Sequence, residues 1–361
     1  MERRNMDKLK VVFLGEKTDY WYYSNQAIKA RLAEVADVKW FTYERKIPEV
    51  SRKDGTRGPC ICNWCLEHPN VKYEIWAVAH KTKPLSIIPS FKGYNEQYVI
   101  ENDALKIVRD ANPDIILITD RVQTLIDDPW KNLDKVKVPK VQYAGDPHND
   151  TPYIVDFCIK NKVDMVLLQY FDGIACEYEQ KLPNAIIGHL PWCIDKRLFR
   201  NYGCKRIIDF ICIGHAEEKY YPFRRELWSY IEKQHPFPRL YSITKSPWIG
   251  RDKYIEKLNQ SKICPFGTSI YKYPLAKFFE AMACGTLVMA DKPIDWETLH
   301  FIPDVNFVEI NRENYKEKLE DYLRNTDERE KIIRNAHKMV MKYHTSIARV
   351  NKLLYYFRML L

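Results

Sequence analysis

The sequence predicts an α/β protein made of two similar halves that face one another across a cleft. Three observations carry this expectation. Leu9-Lys-Val-Val-Phe-Leu-Gly15 is an apolar strand closed by glycine and followed by a helical pattern, the start of a doubly wound unit. Asp209-Phe-Ile-Cys-Ile-Gly214 repeats that strand-to-glycine pattern far downstream. Tyr273-Pro-Leu-Ala-Lys-Phe-Phe-Glu-Ala-Met-Ala-Cys-Gly-Thr-Leu-Val-Met-Ala-Asp291 reads as a short helix, a glycine stop and a buried strand. In it Leu275, Phe278, Phe279 and Met282 recur at helical spacing, Gly285 stands where a left-handed cap ends the helix, and Thr286 to Ala290 form a parallel-strand run.

In the first half the helical pattern runs to about Glu34, and a second strand covers Val38 to Tyr43. Asn102 to Ala111 reads as a helix stopped by Asn112-Pro113, and strands follow at Asp114 to Thr119, Lys140 to Tyr143 and Val163 to Gln169. Their loops end in Asp120 and in Gly145-Asp-Pro-His148. Polar loops at the carboxyl ends of parallel strands are where open sheets hold ligands. Residues 46–95 break into Pro, Gly, Lys and aromatics, and read as an irregular insertion or lid. The second unit begins near residue 190. After Gly214 come a Pro-interrupted basic helix (about Phe223 to Gln234), a strand (Arg239 to Ile243), a helix (Arg251 to Gln260) and a strand (Ser261 to Phe266). Arg329 to Leu361 reads as one long amphipathic helix, with Ile332, Ile333, Ala336, Met339 and Val340 on its apolar stripe.

Composition narrows the function classes. A chain of 361 residues suits two domains, and 46% hydrophobic with 29% charged residues describes a soluble globular protein. No apolar run approaches the ~20 residues of a membrane span, and the first residues lack the apolar core of a signal peptide, so a cytoplasmic location is expected. The ten cysteines are scattered through expected strands and helices, as at Cys158, Cys212, Cys264 and Cys284, which suits small buried hydrophobes in a reducing compartment. Cys60, Cys62, Cys65 and His68 are the exception, four soft ligands close enough for zinc but not drawn from two separate knuckles; the reading favours a Cys-rich loop and no metal. The net charge of +9 lies wholly in residues 191–361, and residues 329–361 alone hold eight Lys/Arg against one Glu. That concentration argues against a nucleic-acid groove, whose cations spread along the docking face. A basic terminal helix also suits anionic lipid, although bracing of the first domain is the preferred reading of its apolar face.

Lys277 and Glu280 are three apart near the start of the helix in 273–291 and share a face. A carboxylate accepts from ribose hydroxyls, while a cation and free backbone N–H groups hold phosphate. This stretch closely resembles the nucleotide-sugar motif of group 1 glycosyltransferases, and is most similar to the spore-maturation glycosyltransferase-like branch. Leu190-Pro-Trp-Cys-Ile-Asp-Lys-Arg-Leu-Phe199 looks like that family's interdomain linker. Asp209 to His215 followed by Lys219-Tyr-Tyr-Pro-Phe-Arg-Arg225, and His344-Thr345 with Arg349 and Leu353-Leu354, resemble two further family motifs. The resemblance covers about residues 185–361. It implies the GT-B fold: two facing Rossmann-like domains, an interdomain cleft and a C-terminal helix crossing back to the first domain. The expected division is 1–190 for the acceptor side, 191–340 for the donor side and 341–361 for the returning helix.

The resemblance also implies roles. Glu280 matches the ribose-binding glutamate, and Lys277 a position often held by arginine. Lys272 stands where the family has a second glutamate near the transferred sugar. His215 and Lys219 lie near the family's diphosphate-binding cations; Gly214 is a further candidate for the nucleotide-sugar, and from their place after the first strand Gly15 and Glu16-Lys-Thr18 are expected to shape the cleft floor. On the first half, Asp146, His148 or Asp150 in the loop after a strand supplies the base for an acceptor hydroxyl. The expected activity is metal-independent transfer of a sugar, with retention, from a UDP- or GDP-sugar to a carbohydrate or other hydroxyl acceptor. The alternatives are an epimerase or phosphorylase on the same scaffold, a non-catalytic sugar-nucleotide-binding protein, and transfer to a hydroxymethylated base.

Overall fold

The computed structural model describes residues 8–15, 23–42, 50–51, 57–58, 98–119, 128–145, 147–235, 240–243 and 251–361. The first half forms a seven-stranded, all-parallel sheet in the order β5-β2-β1-β6-β7-β8-β9. Its strands are β1 (Lys10–Leu14), β2 (Asp37–Thr42), β5 (Tyr98–Ile100), β6 (Ile115–Ile118), β7 (Lys140–Ala144), β8 (Met165–Leu168) and β9 (Ile186–His189). The second half forms a five-stranded parallel sheet in the order β11-β10-β12-β13-β14. Its strands are β10 (Ile208–Ile213), β11 (Leu240–Ile243), β12 (Ser261–Phe266), β13 (Leu287–Ala290) and β14 (Val308–Glu309). Two short strands, β3 (Val50–Ser51) and β4 (Arg57–Gly58), pair antiparallel inside the expected insertion; the rest of 46–95, and with it Cys60, Cys62, Cys65 and His68, lies outside the described residues.

Parallel sheets covered on both faces need strands that are apolar throughout rather than alternating. IILI in β6 and MVLL in β8 are buried at every position, as is LVMA in β13. Both sheets also reverse strand order once, between β1 and β6 in the first and between β10 and β12 in the second. In doubly wound folds the crevice at the carboxyl ends of such a pair is the ligand position.

The helices are α1 (Tyr23–Val35), α2 (Ala104–Ala111), α3 (Pro147–Asn161), α4 (Ala175–Lys181), α5 (Pro222–Gln234), α6 (Arg251–Gln260), α7 (Ala276–Ala283), α8 (Tyr315–Arg324), α9 (Thr326–Tyr343) and α10 (Ser346–Leu360). The proline expected to interrupt the basic helix instead starts it: Pro222 is at the first position of α5, where its missing N–H costs nothing. The elements β5, β9, β14, α3, α4 and α8 have no counterpart in the sequence reading, and α3 begins at Pro147, inside the expected loop that carries His148 and Asp150.

The long terminal helix is corrected to two. The chain breaks at His344-Thr345, where Ile194 of the linker forms a bridge: its N–H donates to His344 O at 2.9 Å and its carbonyl accepts from Ser346 N at 2.8 Å. Thr345 then caps α10, its Oγ1 accepting from Ala348 N at 3.3 Å. Burial drives the His344 pKa down to about 3, so the ring is neutral. Arg349 can only donate, which makes Nδ1 the acceptor (3.1 Å) and leaves Nε2–H to donate to Leu299 O at 2.8 Å. The expected stripe of Ile332, Ile333, Ala336, Met339 and Val340 is buried in α9, but against α7 and β13 of the second half rather than against the first domain as expected. Past the break, α10 crosses to the first sheet: Val350, Leu353 and Phe357 join the core of Leu32, Trp40, Met165 and Leu167. Tyr356 Oη accepts from His189 N at 3.0 Å, and Arg349 Nη2 donates to Trp192 O at 2.7 Å.

The two sheets also meet directly. Asp295, fully buried, accepts from Phe171 N at 3.0 Å and Asp172 N at 2.7 Å, and its own N–H donates to Asp172 Oδ2 at 3.0 Å. Beside this exchange Tyr170 stacks on Tyr273 with ring centres 3.9 Å apart.

Candidate functional site

Helix α7 is shaped by its ends. Gly285, at φ +70°, closes it: Gly285 N donates to Met282 O at 3.1 Å and Thr286 N to Ala281 O at 2.9 Å, the paired bonds of a left-handed cap. Phe278, Phe279, Met282 and Ala283 are wholly buried. At the other end Leu275 makes no side-chain cap, although its carbonyl accepts from Phe278 N at 3.0 Å. Glu280, one turn on, meets Tyr254 of α6, and Lys277 leaves the first turn toward Gly214 at the carboxyl end of β10, where the second sheet reverses order.

Three features meet there. Gly214 ends β10 at φ +122°, and a Cβ at that position would lie 2.9 Å from Lys277 Nζ, so the ammonium rests directly over the glycine. Gly267, just past β12, is equally constrained: a Cβ there would lie 2.7 Å from the backbone nitrogen of Arg224. Arg224, 2% exposed, ties the two loops together, its Nη1 donating to His215 O at 2.7 Å and its Nε to Gly267 O at 2.8 Å. The guanidinium lies 3.8 Å from the Tyr221 ring centre. Among the described residues its Nη2 has no hydrogen-bond partner.

Two cations thus share a low-dielectric corner. Burial, with the Arg224 charge second, pulls the Lys277 pKa down to about 8, and burial brings Arg224 to about 10. Glu280 is raised by burial, while the Tyr254 hydroxyl, which donates to its Oε2 at 2.9 Å, and Lys277 act in the opposite direction. One carboxylate oxygen is therefore held and the other is left to accept. The corner offers the Lys277 ammonium, the buried positive charge of Arg224 behind it and one oriented carboxylate, an arrangement that suits phosphate oxygens next to vicinal hydroxyls.

The structure brings Gly214, Lys277 and Glu280 together. His215 takes part through its carbonyl while its imidazole is exposed, and Lys219 is exposed with Nζ 5.1 Å from the Tyr220 ring centre. Lys272 stands one strand further along, at φ +56°, with Nζ 2.5 Å from Asp291 Oδ2. Gly15 is buried at the end of β1, the order-reversal point of the other sheet, and donates to Phe41 O at 3.3 Å. His148 lies in the first turn of α3; its side chain, that of Asp150, and the whole of Asp146 lie outside the described residues. The sequence reading missed Arg224, Tyr254 and Asp291. Arg224 belongs to a quoted motif, but nothing in a linear pattern distinguishes a buried arginine from a solvated one.

Alanine at position 214 is an expected test of the Lys277 contact. It forces a β-carbon into the space under the ammonium and into a backbone region that costs about 1–3 kcal/mol for a non-glycine residue. Ligand binding at the corner should fall along with the melting temperature, while Gly203→Ala, at φ +69° in open space, should lower stability alone.

Comparison with known proteins bears on the fold. Residues 194–355 match the family model described as Glycosyl transferase-like. No curated protein sequence matches the chain. The Anabaena protein HepE in complex with UDP is similar in structure over 97% of this chain and 100% of its own, with TM-score 0.61 and 11% identity. Sucrose-phosphate synthase from Thermosynechococcus elongatus is similar over 97% of this chain and 99% of its own, with TM-score 0.60 and 11% identity. A UDP-forming α,α-trehalose-phosphate synthase from Burkholderia xenovorans is similar over the same shares, with TM-score 0.57 and 12% identity. At such identity the likeness is one of fold, and that fold is GT-B: two facing Rossmann-like sheets with a terminal helix crossing between them.

Proposed function

We propose that the protein transfers a sugar from a nucleotide-sugar donor to a hydroxyl acceptor in the crevice between its two sheets. The observation that carries this reading is the pair Arg224 and Lys277, two cations held over Gly214 and Gly267 beside Glu280, where the second sheet reverses order. The matched Glycosyl transferase-like segment contains this whole corner. Structures of the same fold are described with UDP or with UDP-glucose, which favours a uridine nucleotide.

Cleaving the sugar–phosphate bond leaves negative charge on the departing diphosphate. In this reading Lys277 and the first turn of α7 meet that charge, and the buried Arg224 behind them adds to the fixed positive potential, so little reorganisation is needed as it develops. Glu280, fixed by Tyr254, accepts from the ribose. The first sheet supplies the acceptor side, with Asp146 and His148 as the candidate base after β7. The donor unit extends from the linker at 191–199 to about residue 340, and the terminal helix returns to the unit formed by 1–190.

A thermal-shift series with UDP, GDP, UDP-glucose and GDP-mannose tests the reading. A ligand at a hundredfold excess over Kd adds about 2.7 kcal/mol of stability. One base should raise the melting temperature of the native protein, and Glu280→Ala should remove most of that shift. Melting temperatures unmoved by every nucleotide would defeat the proposal. Release of free sugar without an acceptor, and product formation only with one, then separates transfer from epimerase and binding-only behaviour.

A further inference from the structure

We infer that Lys272 reads the donor's sugar and that this sugar carries a carboxylate; the inference rests on the nucleotide-sugar reading and deepens it. A continuous line of contacts leads from the cation corner to the other sheet. Arg224 donates to Gly267 O; the next residue, Thr268, donates to Asp291 twice, from N to Oδ1 at 2.6 Å and from Oγ1 to Oδ2 at 2.6 Å. Asp291 Oδ2 also accepts from Lys272 Nζ at 2.5 Å, and Tyr273, the following residue, stacks on Tyr170 of the first sheet. A sugar attached to a diphosphate at the corner and reaching toward an acceptor on the first sheet passes along this line.

What the line shows to a ligand is decided by which groups are spent. Asp291 is 8% exposed and receives three donors on about four lone-pair sites, so its charge is directed inward. Lys272 has its backbone satisfied, its N donating to Ser269 O at 2.8 Å and its carbonyl accepting from Ile294 N at 2.7 Å. Its side chain is 54% exposed, and an ammonium has three protons, of which the carboxylate takes one. The residue after Asp291, Lys292, is a second cation in this stretch, its Nζ lying 4.7 Å from the Trp296 ring centre. The surface of this stretch is therefore a set of N–H donors with excess positive charge. A sugar hydroxyl finds at most the one lone-pair site left on the inward-facing Asp291, whereas a carboxylate, which only accepts, is met by charge-assisted bonds from Lys272.

The backbone supports a fixed presentation. Lys272 adopts φ +56°, a left-handed conformation that a side-chain-bearing residue rarely takes, and the two backbone bonds to Ser269 and Ile294 hold it there. The ammonium is thus delivered to one place rather than swept through solvent.

The test compares donors that differ only at C6. Calorimetric Kd values are measured for UDP, UDP-glucose and UDP-glucuronate, and for GDP, GDP-mannose and GDP-mannuronate, on the native protein, Lys272→Gln and Lys272→Met. With the base that binds, the uronate form is expected at least tenfold tighter than its neutral partner in the native protein. Both variants should bring the two to within twofold while leaving the plain nucleoside diphosphate unchanged. Equal affinity for uronate and neutral forms in the native protein overturns the inference, as does a preference that survives in both variants; in either case diphosphate binding keeps the proposed function intact. If neither diphosphate binds, the proposed function itself fails and takes this inference with it.

Discussion

Lys277→Met is expected to weaken nucleoside diphosphate binding by about a hundredfold, on the order of 3 kcal/mol, because it removes one partner of a buried charge contact. The pH profile carries more information than the single value. Free Lys277 has its pKa pulled down to about 8 by burial and by Arg224, and only its protonated form holds phosphate. Below about pH 7 the amine is charged and affinity should be flat. Above 8 each binding event must first take up a proton, so affinity should fall by about tenfold per pH unit. Lys277→Arg, whose guanidinium keeps its proton, should flatten that decline even if its shape lowers the plateau. The same shift acts on folding with the opposite sign. Between the folded value near 8 and the ordinary value of 10.5 the unfolded chain binds more protons, so the ligand-free protein gains stability as pH rises through that window. Titration calorimetry from pH 6.5 to 9.5 measures the first trend, and a pH-independent Kd in the native protein would contradict the role given to Lys277.

Asp295→Ala should be the most damaging single change at the junction of the two sheets, at about 3–5 kcal/mol. It strips the acceptors from Phe171 N and Asp172 N, at about 1–3 kcal/mol for each donor left unsatisfied, and it places alanine at φ +57°. Asp295→Asn keeps a residue that tolerates this backbone and one of the two acceptors, so its cost should be about half. Burial raises the Asp295 pKa to about 6 from 3.8, so between those values the folded protein binds more protons than the unfolded chain. Its contribution is full below about pH 4, declines as pH rises toward 6 and is level above. His189 Nε2, 3.7 Å away, does not offset this: burial takes its pKa to about 3, leaving the ring neutral. Calorimetric melting of the native and Asp295→Ala proteins between pH 4 and 8 should show the difference between them shrinking as pH rises to 6 and constant beyond; a constant difference throughout would count against the buried carboxylate as the source.

Both predictions rest on residues whose environment is invisible in one dimension. The helix in 273–291 was legible because apolar spacing, the glycine stop and the following strand all obey local rules. Lys277 and Glu280 were legible as a pair because three residues along a helix share a face. Their depth was not. Whether a lysine stands in water or over the Cα of Gly214 depends on β10, which lies far away in the chain, and on Arg224 in a helix between them. Asp295 carried no signal, since an aspartate before a tryptophan in a loop has many ordinary explanations, and its partners Phe171 and Asp172 belong to the other sheet.

The terminal segment shows the same division. Its apolar stripe predicted burial correctly, but two helices with one stripe each look like a single long helix until the linker residue Ile194 inserts its hydrogen bonds at His344 and Ser346. The sequence by itself determined the central strands of both sheets, the glycine-ended turns and the helix that bears Lys277 and Glu280, because those follow from side-chain periodicity and backbone freedom within a few residues. Tertiary structure alone decided which charges are desolvated, which carboxylates are spent and which ammonium faces the crevice. Those properties depend on distances between segments far apart in the chain, and electrostatic energies are set by such distances and by the exclusion of water.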